Sequence, residues 1–574
     1  MRMRAGRSAM IVGAAALMYA AGGLTAPASA ATAKAPAGCA KDNGGITLPP
    51  GFCATVFADN LGNIRHMANG PGGVIYVNSW SGRYFPDSKP PQDGFLIALK
   101  DSKGAGKADM VKRFGDTVAD GSAGGSGVAV YKGYVYAEEN DKIVRYALAA
   151  GGGVPTGKPE VVLSGMPLEG DHPMHPFVID AKGQIFVDVA TATNACQDKN
   201  REPGVPGAMP CKELETRGGI WRYDAGKLDQ KFSPAERYAT GIRNGEGMGF
   251  DAAGRMFVTQ HGRDQLLQNW PALYPDAKKT TELPNEQMML LKEGGDYGWP
   301  FCYYDGFQKK LVLAPEYGGD GGKTVGVCAS KTPPVAAFPA HWGPNDLSIY
   351  NGKAFPASYQ GGAFIAFHGS WNRAPEPQAG YNVAFQPLKA GKKAGAYVVF
   401  ADGFAGPGKA SGKATYRPTG LLVGPDGALY ISDDNKGRIW RVTYHGAATA
   451  GVAAAGAAGA AAGAATPAAG KAALPTPPGA SAAQVAAGAK LYASNTCIGC
   501  HGPEGAGSQV GPDFSGKWLW GDGSLASISS VITKGVSAPK KFRSPMPPMG
   551  GAQLSAADTS ALAAYVWALG HKGK

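Results

Sequence analysis

The sequence predicts an all-β six-bladed β-propeller followed by a small all-α domain, and three observations carry that expectation. Over residues 40–445 a short pattern recurs, a small or acidic residue, then glycine, then a β-rich run: "GPGGVIYVNS", "YKGYVYAEE", "DAKGQIFVDV", "DAAGRMFVTQ" and "GPDGALYISDD". The same region is rich in glycine, of which the chain has 86, and poor in helical periodicity. Residues 446–483 are almost all Ala, Gly and Pro, and apolar residues at helical spacing follow them.

Each copy of the pattern reads as a tight turn feeding a strand. Runs such as "RIWRVTY" and "GGIWRYD" supply second strands. Irregular repeats longer than about 40 residues, each making a small sheet, indicate blades around an axis. Roughly 400 residues at that spacing correspond to six blades. A pair of β-sandwiches is the competing arrangement.

At the N-terminus, Arg2, Arg4 and Arg7 precede "AMIVGAAALMYAAGGL", and Ala28, Ser29 and Ala30 close the run with small residues. That is the pattern of a secretory signal peptide over residues 1–30, with a retained N-terminal anchor as the alternative. No other apolar run is long enough to cross a bilayer, so no stable membrane span is expected. Residues 446–483 have almost no charge or aromatics from which to build a core and read as a flexible linker.

The segment 484–574 carries "CIGCH". Cys497 and Cys500, followed directly by His501, make the c-type haem attachment pattern. Each thiol can add to one porphyrin vinyl group, and the adjacent imidazole is placed to ligate iron. A zinc site or a redox dithiol would also use a Cys-x-x-Cys pair. "SPMPPMGG" supplies a thioether, and Met/His ligation raises a haem's potential. Met546 is the expected sixth ligand and Met549 the alternative. Ser555 and Asp558 form a cap for a last helix, in which Leu562, Tyr565, Val566 and Leu569 recur at helical spacing. The segment resembles a small class I cytochrome c. Export with covalent haem c implies a bacterial periplasm.

Eight cysteines suit an oxidising compartment. Beyond the haem pair, the remaining six fall into near-neighbour couples, which suggests Cys39–Cys53, Cys196–Cys211 and Cys302–Cys328. The net charge of +12 comes from scattered Lys and Arg without a basic block. Nucleic acid is therefore not an expected partner; long-range steering of an acidic electron partner is one use for the excess.

Polar loops between the strands hold the remaining candidates. Asp171 and His172 lie in "GDHPMHPFVIDAKG", where a carboxylate beside an imidazole suits a general base; His175 is the rival. "GIRNGEGMGF" contains Arg243 and Asn244, and "TQHGRDQ" contains His261, Gly262 and Arg263. "AFHGSWNRAP" has His368, Trp371, Asn372 and Arg373, and "YRPTGLLVGPDGALYISDD" has Arg417 and Thr419.

The wording and order of "IRNGEGMGF", "GGDYGWP", "GGAFIAFHGSWNR" and "RPTGLLVGPDGALYISDD" resemble the glucose/sorbosone dehydrogenase family, six-bladed propellers that hold pyrroloquinoline quinone (PQQ) and calcium. The likeness runs over most of residues 50–444. It implies His172 as the base that takes a hydroxyl proton, held by Asp171, with Arg243 and Asn244 along the quinone. It gives Arg373 and Arg417 to cofactor carboxylates, and adds Thr419 and Arg65 to the quinone's surroundings. It assigns calcium to the backbone carbonyls of Gly262 and Arg263, and a second calcium to Glu286 and Tyr297. About twenty residues, "LLQNWPALYPDAKKTTELPN", are inserted relative to the family before "GGDYGWP", and the family's cofactor-binding lysine has no counterpart near "SWNR".

Taken with the haem motif, the expectation is a quinoprotein that oxidises an aldose or sorbosone-like sugar aldehyde and passes electrons to its own haem. A periplasmic cytochrome, copper protein or terminal oxidase would then accept them. The alternatives are a calcium-dependent propeller lactonase with a redox tail and a non-catalytic sugar-binding propeller on a cytochrome.

Overall fold

The computed structural model describes residues 39–572 apart from 81–90, 92, 118–123, 448–449, 456–473, 495–496, 502, 506, 508–510, 515–520, 541–545 and 552–553. The signal segment expected at 1–30 lies outside the described residues, as does the 456–473 part of the linker.

Six blades, each built on four antiparallel strands, form the propeller. Blade 1 is Ile64–Asn69, Ile75–Ser79, Leu96–Lys100 and Met110–Phe114; blade 2 is Val128–Tyr131, Tyr134–Glu139, Lys142–Ala147 and Glu160–Ser164. Blade 3 is Phe177–Ile179, Gln184–Val189, Gly219–Asp224 and Arg237–Thr240; blade 4 is Met248–Phe250, Met256–Gln260, Glu286–Leu290 and Ala336–Phe338. Blade 5 is Pro344–Ile349, Ala363–Phe367, Asn382–Gln386 and Val398–Ala401. Blade 6 takes Pro418–Val423, Leu429–Asp433 and Ile439–Tyr444 from the end of the propeller and Phe52–Ala58 from its beginning. The first strands touch one another in a closed ring from blade 1 through blade 6 and back.

The turn pattern seen in the sequence has a direct physical cause. In "DAKG" the Asp180 carboxylate accepts from the amides of Lys182 and Gln184, and Gly183 takes φ 88°. In "DAAG" Asp251 accepts from Ala253 and Arg255, and Gly254 takes φ 74°. A left-handed residue is where glycine costs least, so the motif punctuates blade after blade.

Strand alternation then builds the core between blades. Tyr76 faces blade 2 while its neighbours Ile75 and Val77 face blade 6; Val135 and Ala137 face blade 1 while Tyr136 faces blade 3. Six apolar clusters result, one at each blade interface. The three disulfides pair as the near-neighbour couples suggest: Cys39–Cys53, Cys196–Cys211 and Cys302–Cys328.

The chain leaves the propeller later than composition suggests. Ala453 N donates to the Tyr359 hydroxyl, Ala455 N to Val399 O, and Val452 packs on the blade 5–6 core. The C-terminal domain has helices Ala482–Ser494, Cys497–His501, Leu525–Lys534 and Ala556–Gly570. Ser555 and Asp558 form a reciprocal capping box on the last helix. Leu562, Tyr565, Val566 and Leu569 pack with Val485, Tyr492, Ile528 and Ile532 in a core of their own.

Candidate active site

Because strands alternate in direction, the chain enters the first strand and leaves the second at the same rim of the propeller. That rim gathers residues distant in sequence. Arg65 comes from blade 1, and Asp171 and His172 precede blade 3. Arg243, Asn244 and Glu246 lead into blade 4, and Gly262, Asp264 and Glu286 follow its second strand. His341, Gly343 and Asn345 introduce blade 5, His368 to Asn372 leave it, and Arg417 introduces blade 6. These line one cavity of about 1300 Å³, including the solvent at its mouth.

His172 is the base candidate that faces this space; His175 is fully buried and gives its Nε2 to Pro167 O at 3.0 Å. His172 Nδ1 donates to Thr191 O at 2.8 Å, which leaves Nε2 as the nitrogen with the lone pair. Three further cavity histidines spend Nε2 on protein oxygens: His261 on Pro344 O, His341 on Leu283 O and His368 on the Asp434 carboxylate. Burial, and then the Arg243 charge, pull the His172 pKa down to about 3. The imidazole is therefore neutral and able to accept a proton across the physiological range.

The orienting partner of His172 is thus the Thr191 carbonyl rather than Asp171. Asp171 turns to Arg201, at 3.0 Å from Nε and 2.9 Å from Nη2, and to Asn200. Burial by itself would raise the Asp171 carboxyl, but Arg201 above all holds it below the usual range. Arg201 also binds Asp264 at 2.9 Å, and Arg243 Nη2 reaches the same carboxylate at 3.1 Å. Asn372 Nδ2 donates to its other oxygen at 2.6 Å. Against burial, the two arginines hold Asp264 far below the normal carboxylate range. On the far wall, Arg65 pairs with Asp434 at 2.7 Å and Glu246 at 3.2 Å.

Arg201, Asp264 and Glu246 carry this web; Asp264 and Glu246 lie within "TQHGRDQ" and "GIRNGEGMGF" beside the expected residues, whereas no motif announces Arg201. Arg201 sits at φ 64° inside the loop closed by Cys196–Cys211, so that disulfide delivers it to the cavity. Three expected residues are engaged elsewhere. Arg373 points away from the cavity, onto Glu282 and the Ala340 carbonyl. Thr419 is fully buried and donates to Arg417 O. Tyr297 is spent on the backbone of Leu290 and Lys292, while Glu286 accepts from Gly262 N and Gly343 N. Arg417 stays, its Nε and Nη2 on the carbonyls of His368 and Gly369.

The donor set suits a flat anionic quinone. Arg65, Arg243 and Arg417 line the cavity with fixed positive charge, their N–H groups held by protein oxygens. Asn244 Oδ1, Asn345 Oδ1 and Asn372 Oδ1 are buried acceptors with no protein partner, which a ring N–H or a sugar hydroxyl would satisfy. The oxygens that the resemblance gives to calcium suit a cation poorly. Gly262 O already accepts Arg243 Nη1 at 3.1 Å, so a metal there would sit against a guanidinium. Arg263 directs its guanidinium to Glu316, and the Glu286 carboxyl already accepts from the amides of Gly262 and Gly343.

In the C-terminal domain, Cys497 and Cys500, neither of them in a disulfide, stand on the helix that ends at His501. His501 Nδ1 donates to Pro512 O at 3.1 Å and its ring lies 4.6 Å from that of Phe514, which leaves Nε2 for iron. Met546 packs on the domain core together with Cys497, whereas Met549 sits in a turn at φ 56°. Cys500 and Pro547 also line the propeller cavity.

Among solved structures, an AA12-family carbohydrate-active enzyme of Trichoderma reesei (iodide structure) superposes with a TM-score of 0.54 at 18% identity, covering 70% of this chain and 98% of that one. The holo form of the pyranose dehydrogenase PQQ domain from Coprinopsis cinerea gives a TM-score of 0.53 at 19% identity, over 69% and 97%. Both show the same fold. An uncharacterized protein of Borreliella burgdorferi is 25% identical over 224 residues, 38% of this chain, and the chain spans about half (51%) of that relative's length. The resemblances read from the motifs are borne out in both parts. Residues 485–570 match the cytochrome c family and residues 116–445, more than half of the chain, match the TrAA12-like family, to which this chain belongs.

Proposed function

We propose that the protein is a periplasmic quinoprotein dehydrogenase that oxidises an aldose or a sorbosone-like sugar aldehyde and delivers the electrons to its own haem c. One observation carries this reading: the His172 imidazole and the haem-attachment residue Cys500 line the same cavity. A hydrolase would have no use for a haem at that place.

PQQ, when bound, supplies the two-electron acceptor. The chain's own residues do the rest. His172 Nε2 takes the proton of the sugar hydroxyl, and the Nδ1–Thr191 bond keeps the ring turned for that task. Arg243, pinned by Asp264, presents fixed positive charge beside the reacting centre, where preorganised donors are most effective. Arg65 and Arg417 bound the cofactor's space, and Asn244 Oδ1 accepts from whichever donor enters. Cys497 and Cys500 would hold haem c covalently, with His501 and Met546 as its iron ligands, and the haem would supply one-electron transfer to an external periplasmic acceptor. No step is assigned to calcium. We further propose that 1–30 is a signal peptide, 40–445 the catalytic unit, 446–483 the linker and 484–574 the haem domain.

The test uses the haem as built-in reporter. Haem-loaded protein is mixed with PQQ and a panel of aldoses and sugar aldehydes while the reduced α band is followed. Reduction that requires both quinone and sugar supports the reading; no reduction with any sugar sinks it.

A further inference from the structure

We propose that the haem domain is the lid of the sugar cavity as well as its electron acceptor: it covers the mouth with its haem-attachment face and must leave for substrate to enter. The acceptor half rests on the function proposed above; the lid half rests on geometry alone.

Cys500 and Pro547 stand in the cavity wall with His172, Arg201 and Asp264. A thioether formed at Cys500 Sγ therefore puts one porphyrin edge at the mouth, on the side where Arg201 ties Asp171 to Asp264. Ser411 completes the rim from the propeller.

The contact is built to come apart. Among the described residues, the apolar core of the haem domain contains no propeller residue, and the propeller clusters contain none from the haem domain. Domains that meet without a shared core move relative to each other as a rule. The chain is held on the propeller as far as Ala455 and is next described at Leu474. The linker keeps the domain near at a roughly millimolar effective concentration. One body thus alternates between two positions, away for substrate and docked for electrons. Each sugar loses two electrons and two protons, while the iron takes one electron at a time. An external one-electron oxidant must therefore reset the iron between the two transfers.

Locking the lid tests this in the full-length, haem-loaded protein. Ser411→Cys with Pro547→Cys places one thiol on each side of the mouth, to be joined by a reducible bifunctional reagent. If the spectrum shows that replacing Pro547 disturbs the haem, Lys409→Cys with Lys540→Cys joins the same two loops further out. The readout is carbethoxylation of His172 and His261 by diethyl pyrocarbonate, located by mass spectrometry, which needs neither cofactor nor turnover. The lid predicts intramolecular cross-linking in high yield, loss of labelling at both histidines while locked, and its return on cleavage of the bridge. Absence of intramolecular cross-linking in both variants, or undiminished labelling in the locked protein, overturns it. Sugar oxidation by an artificial dye is followed in parallel. If the unlocked parent oxidises no sugar, the proposed function has failed, and labelling still decides the lid.

Discussion

The two redox sites are held by opposite means. The proposed haem site rests on one helix of five residues, Cys497–His501, which would supply two covalent anchors and a ligand, with Met546 packed on the same small core. The propeller site has no covalent anchor. Its residues come from five of the six blades and their loops and are fixed by a web in which Arg201 and Arg243 share Asp264 while Arg65 joins Glu246 to Asp434. The contrast teaches where each site is fragile. The haem site loses function ligand by ligand, whereas the propeller site loses geometry when any shared charge is removed.

The largest effect expected is at the base. His172→Gln should slow sugar-dependent haem reduction by about 10²–10⁴-fold and leave quinone titration unchanged, with His175→Ala as a nearly silent control. Stopped-flow reduction of the haem checks this; the opposite ranking of the two variants moves the base three residues along. With a pKa of about 3, His172 should impose no rise in rate between roughly pH 5 and 8.

Next comes the web. Arg201→Ala leaves the mostly buried Asp171 without its cation and Asp264 with Arg243 alone, and breaking a buried pair from one side costs about 3–5 kcal/mol. Denaturant unfolding of the propeller transition should show most of that loss, while the haem spectrum stays native. A fall below about 1 kcal/mol would place this ion pair with ordinary surface bridges.

At the haem, Met546→Ala should leave the cofactor covalently attached but lower its potential in redox titration, because the thioether ligand is lost. If Met549→Ala does this and Met546→Ala does not, the ligand is the other methionine.

Stability should vary more gently with pH, and its sign follows from buried groups. Burial lowers the pKa of His66, His341 and His368 to about 4, so the unfolded chain binds more protons below about pH 6.5 and stability falls as pH drops from there to about 4. Burial raises Glu138 and Asp433 to about 7 and Asp346 to about 8, so the folded chain keeps protons that the unfolded chain has released. That stability is lost as pH rises from about 4 to about 8. The two trends oppose each other below about pH 6.5 and only the loss remains above it. Thermal unfolding should therefore weaken steadily from about pH 6.5 to 8; a rise over that window contradicts the assignment. The smallest effect is expected from calcium removal, since Arg243 already occupies the Gly262 carbonyl. Chelation should leave quinone affinity, read by absorbance titration, unchanged within about twofold.

How much of this could be read in advance follows from how each feature is encoded. The blades are legible because a short Asp-to-Gly turn must precede many of the strands, and the haem motif because Cys497, Cys500 and His501 fall within five residues. Asp171, His172, Arg243, Asn244, Gly262, Arg65 and Arg417 lie on loops flanking recognisable strands, and all reach the cavity. Arg373 does not, although it follows Asn372, which donates to Asp264. Consecutive side chains on an extended stretch point to opposite sides, so a motif can be right while its last residue faces away. Arg201 was hidden for another reason. Its position depends on a disulfide loop without periodic pattern, and only the pairing of Cys196 with Cys211 hints that the loop has a fixed shape.

The closure of blade 6 has a consequence for how the protein is made. Phe52–Ala58 emerges among the first residues of the propeller, yet its partner Ile439–Tyr444 is among the last. An early strand must stay unpaired while nearly the whole ring is synthesised, exposing an edge that invites pairing with other chains. Loop closure over so long a stretch is slow. Cys39–Cys53 bridges the start of that waiting strand. An oxidised hairpin of this kind has fewer ways to stray, and its formation should come before the ring shuts rather than after.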